Sequence, residues 1–248
     1  VDTGPASIHD LVTVKEPGLA ARLTYDWHER RSGLVHLFDL AATPEAFARA
    51  EAVERGDFVD RPFTVAELSA GRLVVWRDGS LAQGERRVPV RVEKELLVDG
   101  ERRDPVLGLA VTVENRSTER IEARLGIEWN LTMLGGGGNP AAWHEVGGVR
   151  SSHDSSGAAS AIDRVVAGNT FVGLSVETAL EPAAEAWWSP IETISNSESG
   201  FERIYQGSAM LFSWPLRLAP GERSAVRMTA RVATTQDRAA DEEAGARR

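Results

Sequence analysis

The sequence contains no cysteine, and that absence removes thiol catalysis, disulfides and cysteine-based zinc sites together. It leaves the compartment open, because a cysteine-free chain folds in either redox environment; the cytoplasm is the expected location. Lysine is nearly missing too: apart from Lys15 and Lys94, the other 26 of the 28 basic residues are arginine. With alanine abundant, that skew reads as coding bias rather than chemistry. No apolar run approaches the ~18–20 residues of a membrane-spanning helix. Acidic side chains outnumber basic ones, 37 to 28, for a formal net charge of −9. Without a cationic surplus to neutralise phosphates, a nucleic-acid partner is disfavoured. There is no Gly-x-Ser-x-Gly elbow, phosphate loop, His-Glu-x-x-His helix or dinucleotide fingerprint.

What is present is the material of a globular fold: 248 residues, 42% hydrophobic and 26% charged. Strand signals dominate. Leu107, Leu109, Val111 and Val113 share one face at period two, and Ile121 to Leu131 follows across the polar turn Glu114–Glu119. The same pattern predicts strands over Leu73–Trp76, closed by Arg77-Asp78-Gly79-Ser80, and over Val88–Val98, closed by Asp99-Gly100. It further predicts strands over Thr170–Val176 and over Ala209–Leu218, the latter turning at Pro220-Gly221 into Ser224–Ala233. One short helix is expected near 44–54, with Thr43 as cap, Pro44 in the first turn and Gly56 as stop. Roughly a dozen strands at turn-punctuated spacing predict an all-β, antiparallel double-sheet sandwich. A single domain over 1–235 is expected, with a frayed tail from 236 to 248. The chain begins at Val1 rather than methionine, which fits a processed protein or a segment of a longer one.

Few residues stand out as chemistry. Glu128 and Asn130 share a strand face while Trp129 points the other way. Such a pair could hydrogen-bond sugar hydroxyls, ligate a calcium ion, or satisfy buried backbone groups or a neighbouring arginine. Gly135 to Gly138 lack the Gly-Lys-Ser/Thr of a phosphate cradle and read as a flexible surface loop. The five histidines are His9, His28, His36, His144 and His153. His28 and His36, eight residues apart on a straight strand, would stand about 26 Å from each other and could not share an ion. His144, just after the glycine loop, is either a proton-transfer group or a structural histidine. Trp143, and the adjacent Trp187 and Trp188 before Ser189-Pro190, are expected in irregular stretches. There they would stack on sugar rings or seal an interface, or else cap the core. Trp27, Trp76, Trp129 and Trp214 are expected to pack in the core or cover a sheet.

Two stretches carry a family resemblance: Tyr25-Asp26-Trp27-His28-Glu29-Arg30-Arg31-Ser32 through His36 and Phe38, and Ser195-Asn196-Ser197-Glu198-Ser199-Gly200-Phe201-Glu202 through Trp214-Pro215. With Glu128-Trp129-Asn130-Leu131 between them, the chain resembles the C-terminal β-sandwich domain of family 57 glycoside hydrolases, which include α-amylase-like and 4-α-glucanotransferase enzymes. Gly33 and Val35 depart from that pattern, where members usually carry an aromatic and an acid. The resemblance implies a galactose-mutarotase-like supersandwich and no cofactor. It also implies a non-catalytic accessory role, since the family's catalytic carboxylates lie on a separate N-terminal barrel. Partners would be that barrel, of the same or another polypeptide, and an α-glucan or malto-oligosaccharide. Trp143, His144, Trp187 and Trp188, with Glu128 and Asn130 behind them, are the residues expected at a sugar or domain contact. Arg30-Arg31-Ser32 and 196–202 look structural, with arginine forks pairing to acids such as Glu198 or Glu202. The alternatives are a mutarotase-like epimerase working through His144 and Glu128, or a purely structural assembly module.

Overall fold

A computed structural model describes residues 18–19, 23–102, 104–197 and 200–234. His9, the proposed pairing of Glu198 and the tail from 236 to 248 lie outside the described residues. Alternation does on the backbone what it promises in sequence. In β5 (Asp104–Asn115) Leu109, Val111, Val113 and Asn115 are buried at every second position. Across its turn, β6 (Ile121–Leu131) buries Ile121, Ala123 and Leu125 in the same way, then stays buried through Trp129. Asn115 fixes that turn from inside, its amide donating to the carbonyls of Glu119 (2.6 Å) and Leu218 (3.0 Å).

The other elements are β1 (Leu34–Phe38), α1 (Pro44–Ala48), β2 (Thr64–Ser69), β3 (Arg72–Gln83) and β4 (Arg86–Glu101) before β5. After β6 come β7 (Ala142–Val146), β8 (Val149–Ser152), β9 (Gly157–Asn169), β10 (Leu174–Ser197), β11 (Gly200–Leu218) and β12 (Arg223–Thr234). Every pairing among them is antiparallel. The long β10 joins two arms. Its first half pairs with β12, leading on to β5, β4, β3 and β2; its second half pairs with β11, leading to β6 and β1. β9 runs along the opposite edge of both halves and carries β7 and β8. One apolar cluster draws on both arms, including Val92, Val111 and Val226 from one and Leu125, Ile127 and Phe212 from the other. Each such side chain contributes ~1.5–3 kcal/mol by leaving water. A double-sheet sandwich is therefore the architecture, as the strand grammar predicted. No helix among the described residues is long and apolar enough to cross a membrane.

Three local expectations are corrected. The strand read as ending at Arg77 continues through Gly79 to Gln83. Gly79 is there for clearance, not for a turn: a β-carbon would stand 2.3 Å from Asp57 Oδ1 and 2.7 Å from the Phe58 ring. Residues 170–173 form a turn, with Gly173 at φ +73°, and the strand begins only at Leu174. Helix α1 does start on its Thr43 cap and Pro44, but it stops at Ala48, well before Gly56. Ala50 at φ +56° turns the chain out of the helix.

Candidate functional site

The densest polar structure in the described residues is a buried centre where β1, β6 and the irregular segment ahead of β1 meet. Gly33, at φ +80°, turns that segment back so that its side chains lie over β6, and its N–H donates to the Glu128 carbonyl (2.8 Å). This reversal is why His28 and His36 are not strand neighbours 26 Å apart, and that expectation fails. Their rings stand 5.3 Å from each other, and both Nε2 atoms donate to one oxygen, Glu128 Oε2, at 2.9 Å each. The side chains of Glu128 and His36 are fully buried and that of His28 is 4% exposed. The other carboxylate oxygen accepts from Asn130 Nδ2 (2.7 Å) and Arg30 Nη1 (3.4 Å). Arg30 is itself held by Asp26. On the far side of His36, Nδ1 donates to Glu54 Oε2 (2.8 Å), and Glu54 Oε1 accepts the N–H groups of Leu37 and Gly56.

Burial on its own would lower the His36 pKa, but the hydrogen bonds to Glu128 and Glu54 outweigh it and raise the ring to about 9. For Glu128, burial would raise the pKa; the bonds from His28 and His36 and the charges of His36 and Arg30 win and hold it far below the usual carboxylate range. The Glu128–Asn130 pair expected from sequence thus exists. It faces nitrogens rather than sugar or oxygen donors, a surrounding unsuited to calcium.

Of the nominated aromatics, none sits in an irregular stretch. Trp143 lies on β7, 7% exposed, against Gly168 of β9 and under the Arg150 guanidinium, 3.7 Å from its ring. Trp187 and Trp188 are inside β10, and alternation sends them to opposite faces. Trp187 is 1% exposed in a small core with Phe38, Phe47 and Leu211. The Ser189-Pro190 pair does not break the strand. β9 pairs no further along β10 than Trp188, which leaves a free edge for a residue without an N–H. Trp188 is half-buried against Gly157, and its ring meets His144 edge-on at 5.5 Å. His144 bonds to Ser155 Oγ (3.3 Å), so it shares no hydrogen bond with Glu128, and the acid–base pair weighed for an epimerase is not assembled.

Trp188 also lines a cleft of about 230 Å³ with Pro44, Glu45 and Ser156. A second cleft of about 240 Å³ adjoins it at Ala48 and Ser156, and reaches Asp26 and Arg30 of the buried centre and Glu192 of β10. The glycine loop is tied down rather than free: Gly138 N–H donates to Asp154 Oδ2 (2.7 Å), and His153 Nε2 to the Gly136 carbonyl (2.9 Å).

The model of the family described as alpha-amylase/4-alpha-glucanotransferase, C-terminal, matches residues 2–228. The chain belongs to that family. Its curated relatives include the 4-alpha-glucanotransferase of Thermococcus litoralis, 28% identical over 87% of this chain and 29% of that protein. The alpha-amylase of Pyrococcus abyssi is 28% identical over 86% of this chain and 28% of its own length. This chain therefore spans under a third of the relatives it matches. Among solved structures, the T. litoralis 4-alpha-glucanotransferase superposes with a TM-score of 0.65 at 24% identity, covering 88% of this chain and 30% of that one. A putative aldose 1-epimerase from Escherichia coli K12 superposes at 0.53 with 12% identity, over 89% and 87% of the two chains, a likeness of fold alone.

In this family member the sequence reading reached Glu128 and Asn130 but missed His28, His36 and Glu54 as their partners. Only the crowding of charge in Asp26–Arg31 beside Gly33 pointed to a doubled-back segment. His144 carries a separate consequence. Burial, followed by the charge of His153, lowers its pKa to about 4, with Asp154 opposing. Trp188 and Ser155 supply no compensating charge. The unfolded chain binds the proton near 6.5, so this group's penalty is absent above that pH and grows as pH falls from 6.5 towards 4. At pH 5 it amounts to about 2 kcal/mol. Urea unfolding at pH 7 and pH 5 should show wild type losing that much more stability than His144→Gln; equal losses would contradict the assignment.

Proposed function

We propose that this chain is the non-catalytic accessory domain of an α-glucan-acting enzyme, an amylase or 4-α-glucanotransferase of the cytoplasm. In this reading it packs as one domain against the catalytic domain and contacts glucan along the paired clefts at Trp188. The observation that carries it is the family match over nearly the whole chain, set against relatives of whose length the match covers under a third. Supporting the glucan contact, the Trp188 indole offers an apolar ring face to a sugar. Asp26, Arg30, Glu45 and Glu192 stand nearby as hydrogen-bond partners for hydroxyls. Of the residues nominated from sequence, Trp188 is retained for this role; Trp143, His144 and Trp187 line neither cleft.

Calorimetric titration with a long malto-oligosaccharide tests the contact. Saturable heat is expected from the wild type and none from Trp188→Ala. No heat up to millimolar sugar, or heat unchanged in Trp188→Ala, would overturn the glucan contact and leave docking as the proposed role.

A further inference from the structure

We propose that His28, His36 and Glu128 form a binding site for one divalent transition-metal ion of the zinc class. Three features of the buried centre point there. First, the ligand atoms converge: those of the three side chains lie within 4.8 Å of one another, and both imidazole Nε2 atoms address the same carboxylate oxygen. A tetrahedral ion with bonds near 2.0–2.1 Å holds its ligand atoms about 3.3 Å apart. The two nitrogen–oxygen separations are 2.9 Å, so admitting the ion requires them to open by only a few tenths of an ångström.

Second, the outer partners are those that metal ligands use. A ligating histidine commonly donates its other ring N–H to a carboxylate, which fixes the ring and raises its basicity. Glu54 does this for His36 and is itself anchored by two backbone N–H groups. Asn130 and Arg30 hold the remaining oxygen of Glu128. Third, the charges fit. The Arg30–Asp26 pair neutralises itself, which leaves the two carboxylates Glu54 and Glu128 to balance a dication that replaces the imidazole protons.

Two nitrogens and a carboxylate select zinc-like ions over calcium or magnesium, which take oxygen donors. The three side chains leave the fourth position of a tetrahedral ion to a water that the ion would bring with it. The ion would pin the irregular segment carrying His28 to β1 and β6. The site meets the glucan contact at Arg30, but its ligands His28, His36 and Glu128 line neither cleft.

The chelator-stripped chain is titrated with zinc chloride by calorimetry, and in parallel with cobalt(II), followed by visible absorption. One zinc per chain is expected, with the absorption of four-coordinate cobalt and a rise in melting temperature. His28→Ala should abolish all three signals, and His153→Ala, a histidine outside the centre, should keep them. Glu54→Gln, which acts through His36, should weaken binding by about 10–100-fold. If His28→Ala does not fold, His28→Gln takes its place, since it retains a hydrogen-bonding side chain and lacks the imidazole. No binding at micromolar zinc, or binding that persists without the His28 imidazole, would overturn the site and leave a network filled by protons.

Discussion

Replacing Glu128 with alanine in metal-free protein is expected to cost about 3–5 kcal/mol of folding stability. The size follows from what remains rather than from the bonds removed. His28, His36, Arg30 and Asn130 all direct N–H groups at this carboxylate, and His36 is fully buried. Without it, the Nε2 groups of His28 and His36 lose their acceptor, and the buried His36 cation keeps only Glu54 to balance it. Arg30 and Asn130 fall back on Asp26 and the Arg31 carbonyl, and water has little access. An apolar replacement of the whole cluster would cost far less, because the penalty is that of orphaned charge. An exposed pair sets the contrast. Arg49 and Glu51 are each 60% open to solvent, so Glu51→Ala should stay within about 1 kcal/mol of wild type. Urea unfolding of both variants with chelator present makes the measurement. In a chain of this length each kcal/mol also moves the melting temperature by about 2–4 °C. A Glu128→Ala deficit no larger than that of Glu51→Ala would mean that the centre relaxes and admits water.

The strands were legible in the sequence because one-sided burial writes itself at period two. Leu109, Val111 and Val113 are the clear instance, and the turn at Pro220-Gly221 closes where positive φ is needed, at Gly221. Legibility failed where a glycine serves clearance. Gly79 looks like a turn residue beside Asp78 and is instead the flat spot over which Phe58 passes. It failed again at the site. Glu128 and Asn130 were found because they are two apart on one strand, and local spacing fixes their common face. Their partners come from 92 to 100 residues away, through a reversal at Gly33 that no periodicity encodes. The adjacent tryptophans misled for a related reason. Two bulky aromatics before Ser-Pro resemble a loop, whereas a strand buried on both faces can place one on each side.

That difference between Trp187 and Trp188 makes the second large effect. Trp187→Ala is expected to cost about 3–5 kcal/mol, the range for truncating a buried tryptophan to alanine. Its indole fills the space between α1 and the sheet, against Phe38, Phe47, Ala52, Ala209 and Leu211, and the loss opens a cavity that these neighbours only partly close. It also frees two polar contacts: Nε1 donates to Glu185 Oε1 at 2.8 Å, and the Arg124 guanidinium lies 5.0 Å from the ring. Arg124 in turn pairs with Glu185 at 2.6 Å, so one truncation loosens a ring, a carboxylate and an arginine together. Trp188 is only partly buried, packed on the edge of the larger apolar cluster and lining a cleft, so Trp188→Ala leaves a space partly open to water and should cost less. The two must be changed separately, because a double variant would mix loss of core with loss of a cleft wall. If Trp187→Ala stays within 1 kcal/mol of wild type while Trp188→Ala unfolds the chain, the faces have been assigned the wrong way round.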